Sequence, residues 1–201
     1  HVVSYSKPIN KTVGFDELDD HLYYLTNLPG AIPYVTSYYK DMWGFCLSYD
    51  DYLKLDRNSN YKVVIDSCFD EKGSMTYGEV ILPGESEKEV FFTTYICHPQ
   101  MCNNELSGPA VWHKIVKHVM SLKDRKFTYR FLIGPETIGA ITYLSKNIDI
   151  MQRNTIAGFN LSCVGDERCF SYLPSRSGLT YADKLAKYVL DNNVKDYISY
   201  T

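Results

Sequence analysis

A histidine at position 98 precedes an amide by six residues and a carboxylate by seven, in the stretch Cys97-His98-Pro99-Gln100-Met101-Cys102-Asn103-Asn104-Glu105. Imidazole with an oxygen from a following loop is a donor set for a borderline ion such as zinc. The same residues also make an ordinary hydrogen-bonded loop histidine, and spacing alone leaves both readings open. Glu136, in Ile133-Gly134-Pro135-Glu136-Thr137-Ile138-Gly139, is the second chemical candidate. It reads either as a general base or ligand facing the crevice of His98, or as an acid complementing a helix N-terminus. Cys97 and Cys102 bracket His98, but a zinc-thiolate site is set aside. Cys97 closes an apolar run and is expected to point into the core, and no second Cys/His pair is spaced to complete four ligands. His113 and His118 lack the spacing of a helical zinc motif and are expected to be surface or packing residues. Ser175-Arg176-Ser177-Gly178 reads as a helix cap or an anion site.

These side chains need elements to hold them. Val90 to Cys97 is an apolar, β-favouring run that stops at His98-Pro99, and proline keeps the residue before it extended. A helix is predicted over 107–122, with Val111, Ile115, Val116, Val119 and Leu122 on one face. A strand is predicted over 127–133, a helix over 136–146, a strand over 155–164, a short strand over 169–173 and a helix over 181–192. Strands alternating with helices predict a mainly parallel sheet with helices on its faces, and such sheets bind ligands at the carboxyl ends of their strands. Upstream, residues 15–27 carry leucines at helical spacing, and residues 32–50 are aromatic and irregular. Strands over 61–68 and 75–82 are expected to pair through the Asp70–Gly73 turn. Pro83 to Glu89 is the boundary expected from composition.

The 201 residues are 45% hydrophobic and 22% charged, the balance of a globular protein. A formal charge of −3 without a basic run gives no reason to expect nucleic acid or anionic membrane as partners. The longest apolar runs are about half of the ~20 residues a membrane helix needs. The six cysteines sit mostly in apolar segments, which predicts reduced, buried thiols and a cytoplasmic protein. These features point to no particular oligomeric state.

Four segments in turn resemble a known family: Tyr95-Ile96-Cys97-His98-Pro99, Cys102 to Gly108, Pro135-Glu136-Thr137-Ile138-Gly139 and Cys163-Val164-Gly165-Asp166. They are similar to the bacterial aminopeptidase-like proteins, relatives of the di-zinc aminopeptidases that include leucyl aminopeptidase and glutamate carboxypeptidase II. The opening His1 to Ser6 and the Thr36 to Cys46 stretch resemble the same proteins. The resemblance implies a zinc-peptidase-like α/β core over 89–201, C-terminally incomplete, with residues 1–88 mostly a small β-rich inserted domain. It implies His98 as a zinc ligand, Asn104 where the family has a bridging aspartate, and Glu136 as the general base. Thr137 and Ser162 fall where active enzymes carry further acidic ligands. Two Zn²⁺ at about 3.5 Å repel by roughly 19 kcal/mol at an effective dielectric of 20, and neutral Asn104, Thr137 and Ser162 cannot offset that. The expectation is therefore one zinc on His98, helped by Glu105 or Asp166, or none. The implied activity is hydrolysis of a peptide or amide bond in a peptide or amino-acid-derived small molecule. The alternative is a catalytically degenerate ligand-binding or assembly protein of the same fold.

Overall fold

The computed structural model describes residues 1–98 and 101–200. It divides into two compact units, His1–Gly73 and Ser74–Thr201. Pro99 and Gln100, in the loop expected after the strand that carries His98, lie outside the described residues.

In the first unit, β1 (Ile9–Gly14) pairs antiparallel with β4 (Asn60–Ile65), and the two-residue strands β2 (Leu22–Tyr23) and β3 (Phe45–Cys46) pair in parallel. The helices are short: α1 (Phe15–Asp19) and α2 (Tyr49–Tyr52). Val13, Leu18 and Val63 form the core, flanked by Ile9, Leu22, Trp43, Phe45 and Tyr61. The helix expected over 15–27 stops at Asp19. His21 stacks on Trp43 with ring centroids 3.5 Å apart and its Nδ1 meets the Trp43 carbonyl at 2.8 Å, which turns the chain into β2. Tertiary packing overrides the leucine spacing here.

The second unit holds β5 (Gly78–Leu82), β6 (Ser86–Tyr95), β7 (Phe127–Gly134) and β8 (Thr155–Asn160) in one sheet, ordered β5-β7-β6-β8. The strands β6, β7 and β8 are mutually parallel where they pair, because α3 (Gly108–Ser121) and α4 (Ile138–Asn154) supply the crossovers such pairing needs. On one face of the sheet, Trp112, Val116 and Val119 of α3 pack on Phe131 and Phe92. On the other, Tyr143 and Met151 of α4 pack on Leu132 and Phe91. Trp112, rather than the predicted Val111, leads the buried face of α3. Beyond β8, β9 (Phe170–Tyr172) and β10 (Tyr197–Ser199) pair in parallel across α5 (Tyr181–Asn193). Thr180 and Asp183 form a capping box on α5, and Ser175 reaches the same carboxylate through both its N–H and its hydroxyl. The cap is therefore Thr180, two residues beyond the Ser175–Gly178 segment, and Ser175 braces it through Asp183.

Two expectations fail. Residues 75–82 do not form a hairpin with 61–68; β5 runs antiparallel to β7 and places Val80 and Leu82 against the α3 cluster. The units accordingly divide at Gly73, ahead of the Pro83–Glu89 link. The thiols are also not mostly buried: all six cysteines are free, and Cys46 alone is buried.

Candidate functional site

The site is assembled where β6 and β7 end. Past Tyr95 the chain stays extended beside β7, held by the Ile96 N–H donating to the Gly134 carbonyl at 3.0 Å. That brings Cys97 and His98 to the start of the loop bearing Glu136. The next contribution comes from a π-helical turn, Asn103–Ser107, that runs directly into α3. A π turn carries one residue more per turn than an α-helix and often marks a functional segment. Here it turns Glu105 inward, to 3% exposure. Gly108 follows, where a β-carbon would collide with Thr94 Oγ1 and the Leu161 carbonyl, so only glycine lets the turn sit this close to the sheet.

His98 lies between two carboxylates. Its Nδ1 is 2.7 Å from Glu105 Oε1, and its Nε2 is 3.8 Å from Glu136 Oε2. The other oxygen of Glu105 accepts the backbone N–H of Cys97 in a short bond. Cys97 Sγ is 3.1 Å from His98 Nδ1 and accepts the backbone N–H of Glu136 at 3.2 Å. Burial pushes the Cys97 thiol above its ordinary pKa, and the nearby Glu105 and Glu136 charges act in the same direction. Immediately after Glu136 the backbone is strained. Thr137 has φ 57° and ψ −71°, and the Ile138 N–H donates to the Glu136 carbonyl at 2.6 Å. This is the rare γ-turn, at a β-branched residue, with a cost of order 1–3 kcal/mol. An apolar-walled cavity of about 350 Å³ opens beside these groups, lined by Cys97, His98, Met101, Cys102, Glu105 and Leu106, with Ile96.

Asn104 belongs to a neighbouring, neutral network. Its Nδ2 donates to the Tyr95 hydroxyl at 2.8 Å, and that hydroxyl lies 2.5 Å from Ser162 Oγ. The same Nδ2 is 3.5 Å from Cys163 Sγ. Burial raises the Tyr95 pKa, so the phenol stays a neutral donor and acceptor. Asn103 ties the rim by accepting the Gly165 N–H at 2.9 Å. Cys163, like Thr137, holds a positive φ, 51°, at a strand exit.

The structure brings His98 and Glu136 together and sets Asn104 one residue from the buried partner of the histidine. Asp166 is placed otherwise. Arg168 clasps its carboxylate through Nε at 2.9 Å and holds its pKa down to about 2. No contact among the described residues joins it to His98. Spacing understated Glu105, and it misplaced Cys97, whose sulfur faces the histidine instead of the core. Tyr95 was read only as a strand residue. A bridged two-metal centre does not fit these residues: Asn104 directs its N–H groups at Tyr95 and Cys163, and no acid stands at 137 or 162. A single ion fits the donor chemistry, since an imidazole backed by a carboxylate on its far nitrogen is a common ligand arrangement.

Comparison with known proteins places this geometry in a family. Residues 12–201 match the family described as Domain of unknown function (DUF4910), and the chain belongs to it. The chain is 45% identical over 197 residues to a Clostridium acetobutylicum protein named "Putative polysaccharide biosynthesis protein with aminopeptidase-like domain", covering 98% of this chain and 44% of that one. It is also similar to a crystal structure of a "putative peptidase" from Clostridium acetobutylicum, with a TM-score of 0.93 and 43% identity. That match covers 100% of this chain and 47% of the other. The chain thus spans less than half the length of each. Among the described residues, no helix is long and apolar enough to cross a membrane.

Proposed function

We propose that this member of the family carries part of an aminopeptidase-like hydrolase that cleaves a peptide or amide bond in a peptide or amino-acid-derived small molecule. In this reading His98 Nε2 is a zinc ligand and Glu136 is the general base. The observation that carries it is the line Glu105–His98–Glu136. Glu105 is buried and fixed by the Cys97 N–H, so it holds the Nδ1 proton and turns the Nε2 lone pair toward Glu136. Zinc, when bound, would polarise the substrate carbonyl and acidify a water. Glu136 would take a proton from that water at Oε2 and deliver it to the leaving amine. Cys97 Sγ keeps Glu136 in place by accepting the Glu136 backbone N–H. The free thiols agree with a reducing, cytoplasmic setting.

A second reading rests on one observation. The amide of Asn104 and the hydroxyl of Ser162 are joined through Tyr95 into a satisfied neutral network where a metal centre of this kind would carry acids. That favours a pocket that binds an amino-acid-derived or sugar-linked ligand, or serves an assembly, without hydrolysis. The test uses the full-length protein. The first reading expects zinc in the purified protein and hydrolysis of an aminoacyl amide, lost in Glu136→Gln while zinc is retained. Absence of both zinc and hydrolysis would give the second reading precedence.

A further inference from the structure

We propose that Cys97 Sγ, His98 Nδ1 and the Glu105 carboxylate form a binding site for a thiophilic divalent cation of the zinc–cadmium class, on the edge of the imidazole away from Glu136. One donor atom from each lies within 4.8 Å of the others. The two closest spacings are 3.1 Å from Sγ to Nδ1 and 2.7 Å from Nδ1 to Oε1. Zinc holds thiolate sulfur at about 2.3 Å and imidazole nitrogen or carboxylate oxygen at about 2.0–2.2 Å, in a tetrahedron. Neighbouring donors then stand roughly 3.3–3.6 Å apart. The two close pairs need only to open by about half an ångström, and the sulfur and carboxylate settle at the same separation from within 4.8 Å of each other. The ion takes the place of the proton shared between Nδ1 and Oε1.

The charges close as well. One thiolate and one carboxylate neutralise a divalent ion, so the buried Glu105 exchanges one compensating partner for another. Its second oxygen stays on the Cys97 N–H and keeps the carboxylate anchored. Binding releases the Cys97 thiol proton to solvent and moves the Nδ1 proton to Nε2, so the imidazole stays neutral and no oxidation state changes. A thiol raised in pKa by burial is a poor nucleophile and a slow target for oxidants, but a metal ion deprotonates a coordinating thiol outright. Met101 and Cys102 line the same cavity and give it a sulfur-rich wall. This site goes beyond the hydrolase reading. It uses the other ring nitrogen, needs no Glu136, and when filled removes the hold of Glu105 on the histidine.

The experiment is a cadmium titration of the full-length protein, reduced with a phosphine, followed by the ultraviolet charge-transfer absorption of cadmium–thiolate bonds. A one-equivalent step is expected. It should vanish in Cys97→Ser, weaken at least tenfold in Glu105→Gln, and persist in Cys102→Ser and in Glu136→Gln. An unchanged step in Cys97→Ser, or no step in the parent protein, would overturn the assignment. Loss of the step in Cys102→Ser or in Glu136→Gln would overturn this donor set, the latter moving the ion to the Nε2 edge. Circular dichroism checks that each variant folds. Should Glu105→Gln not fold, X-ray absorption of the zinc-loaded parent decides: one sulfur neighbour among nitrogen and oxygen supports the site, and none or two refutes it. Hydrolysis is not read at any point, so failure here leaves the hydrolase reading standing.

Discussion

Substituting Glu105→Gln tests how the histidine is oriented, because the change keeps the shape of the side chain and removes its charge. The carboxylate accepts two bonds, from the Cys97 N–H and from His98 Nδ1. A glutamine has one acceptor and must spend it on the Cys97 amide, which is fixed by the backbone and cannot accept. Its NH₂ then faces Nδ1. The imidazole can satisfy that donor only by giving up the Nδ1 proton, which moves to Nε2, the nitrogen 3.8 Å from Glu136. The variant should therefore invert the tautomer of His98. Charge-assisted bonds are worth about 1.5–3 kcal/mol and neutral ones about 0.5–1.5. Loss of charge assistance at both bonds thus costs about 2–3 kcal/mol. At 3% exposure, solvent offers little relief. For a chain of this size that is a fall in melting temperature of roughly 4–12 °C.

The assay is long-range ¹H–¹⁵N correlation of histidine-labelled protein, recorded well above the ordinary histidine titration range. The chain has five histidines, and His98→Gln assigns the signal. The parent should show a protonated Nδ1 and a bare Nε2, and Glu105→Gln the reverse. A parent already protonated at Nε2, or a variant whose tautomer is unchanged, would refute the role given to Glu105.

Two further predictions concern what holds the second unit together. Arg130 is clamped by Glu89 through Nε at 2.7 Å and a second nitrogen at 2.8 Å, both side chains 4% exposed, and the pair raises the Arg130 pKa further. Removing one partner of a buried pair costs about 3–5 kcal/mol, and Glu89→Gln should fall near the lower end because Glu79 and Tyr143 still bind Arg130. A loss below about 1 kcal/mol in urea denaturation would contradict this. At Asp183, hydrogen bonds from Ser175, Thr180 and Tyr172 hold the carboxyl far below its ordinary pKa. A depressed pKa means stability that is present above the ordinary aspartate value near 3.9 and lost as pH falls below it. The amides at the start of α5 should then lose hydrogen-exchange protection in acid, and Asp183→Asn should start with less protection and lack that acid step.

The α/β order of the second unit was legible because β6, β7, α3 and α4 carry their periods over eight or more residues. The first unit was not, since its elements run two to six residues and its aromatic contacts are made across sequence. The pairing of β5 was missed for a related reason: adjacency favoured residues 61–68, whereas burial of Val80 and Leu82 under α3 selects β7. At the site, His98 and Glu136 could be read from position alone, each directly following a strand. The choice between Asn104 and Glu105 could not. Which of two consecutive side chains turns inward depends on the extra residue of the π turn, and nothing in the spacing announces it. Cys97 was assigned to the core by continuing the alternation of β6, but it lies two residues beyond the end of that strand, at Tyr95, and is exposed. The same break gives the site its character. The sulfur that would have been core packing instead touches both His98 and the backbone of Glu136, linking two residues 38 positions apart in sequence. A loop sulfur thereby touches both the histidine and the residue that leads into the strained turn at Thr137.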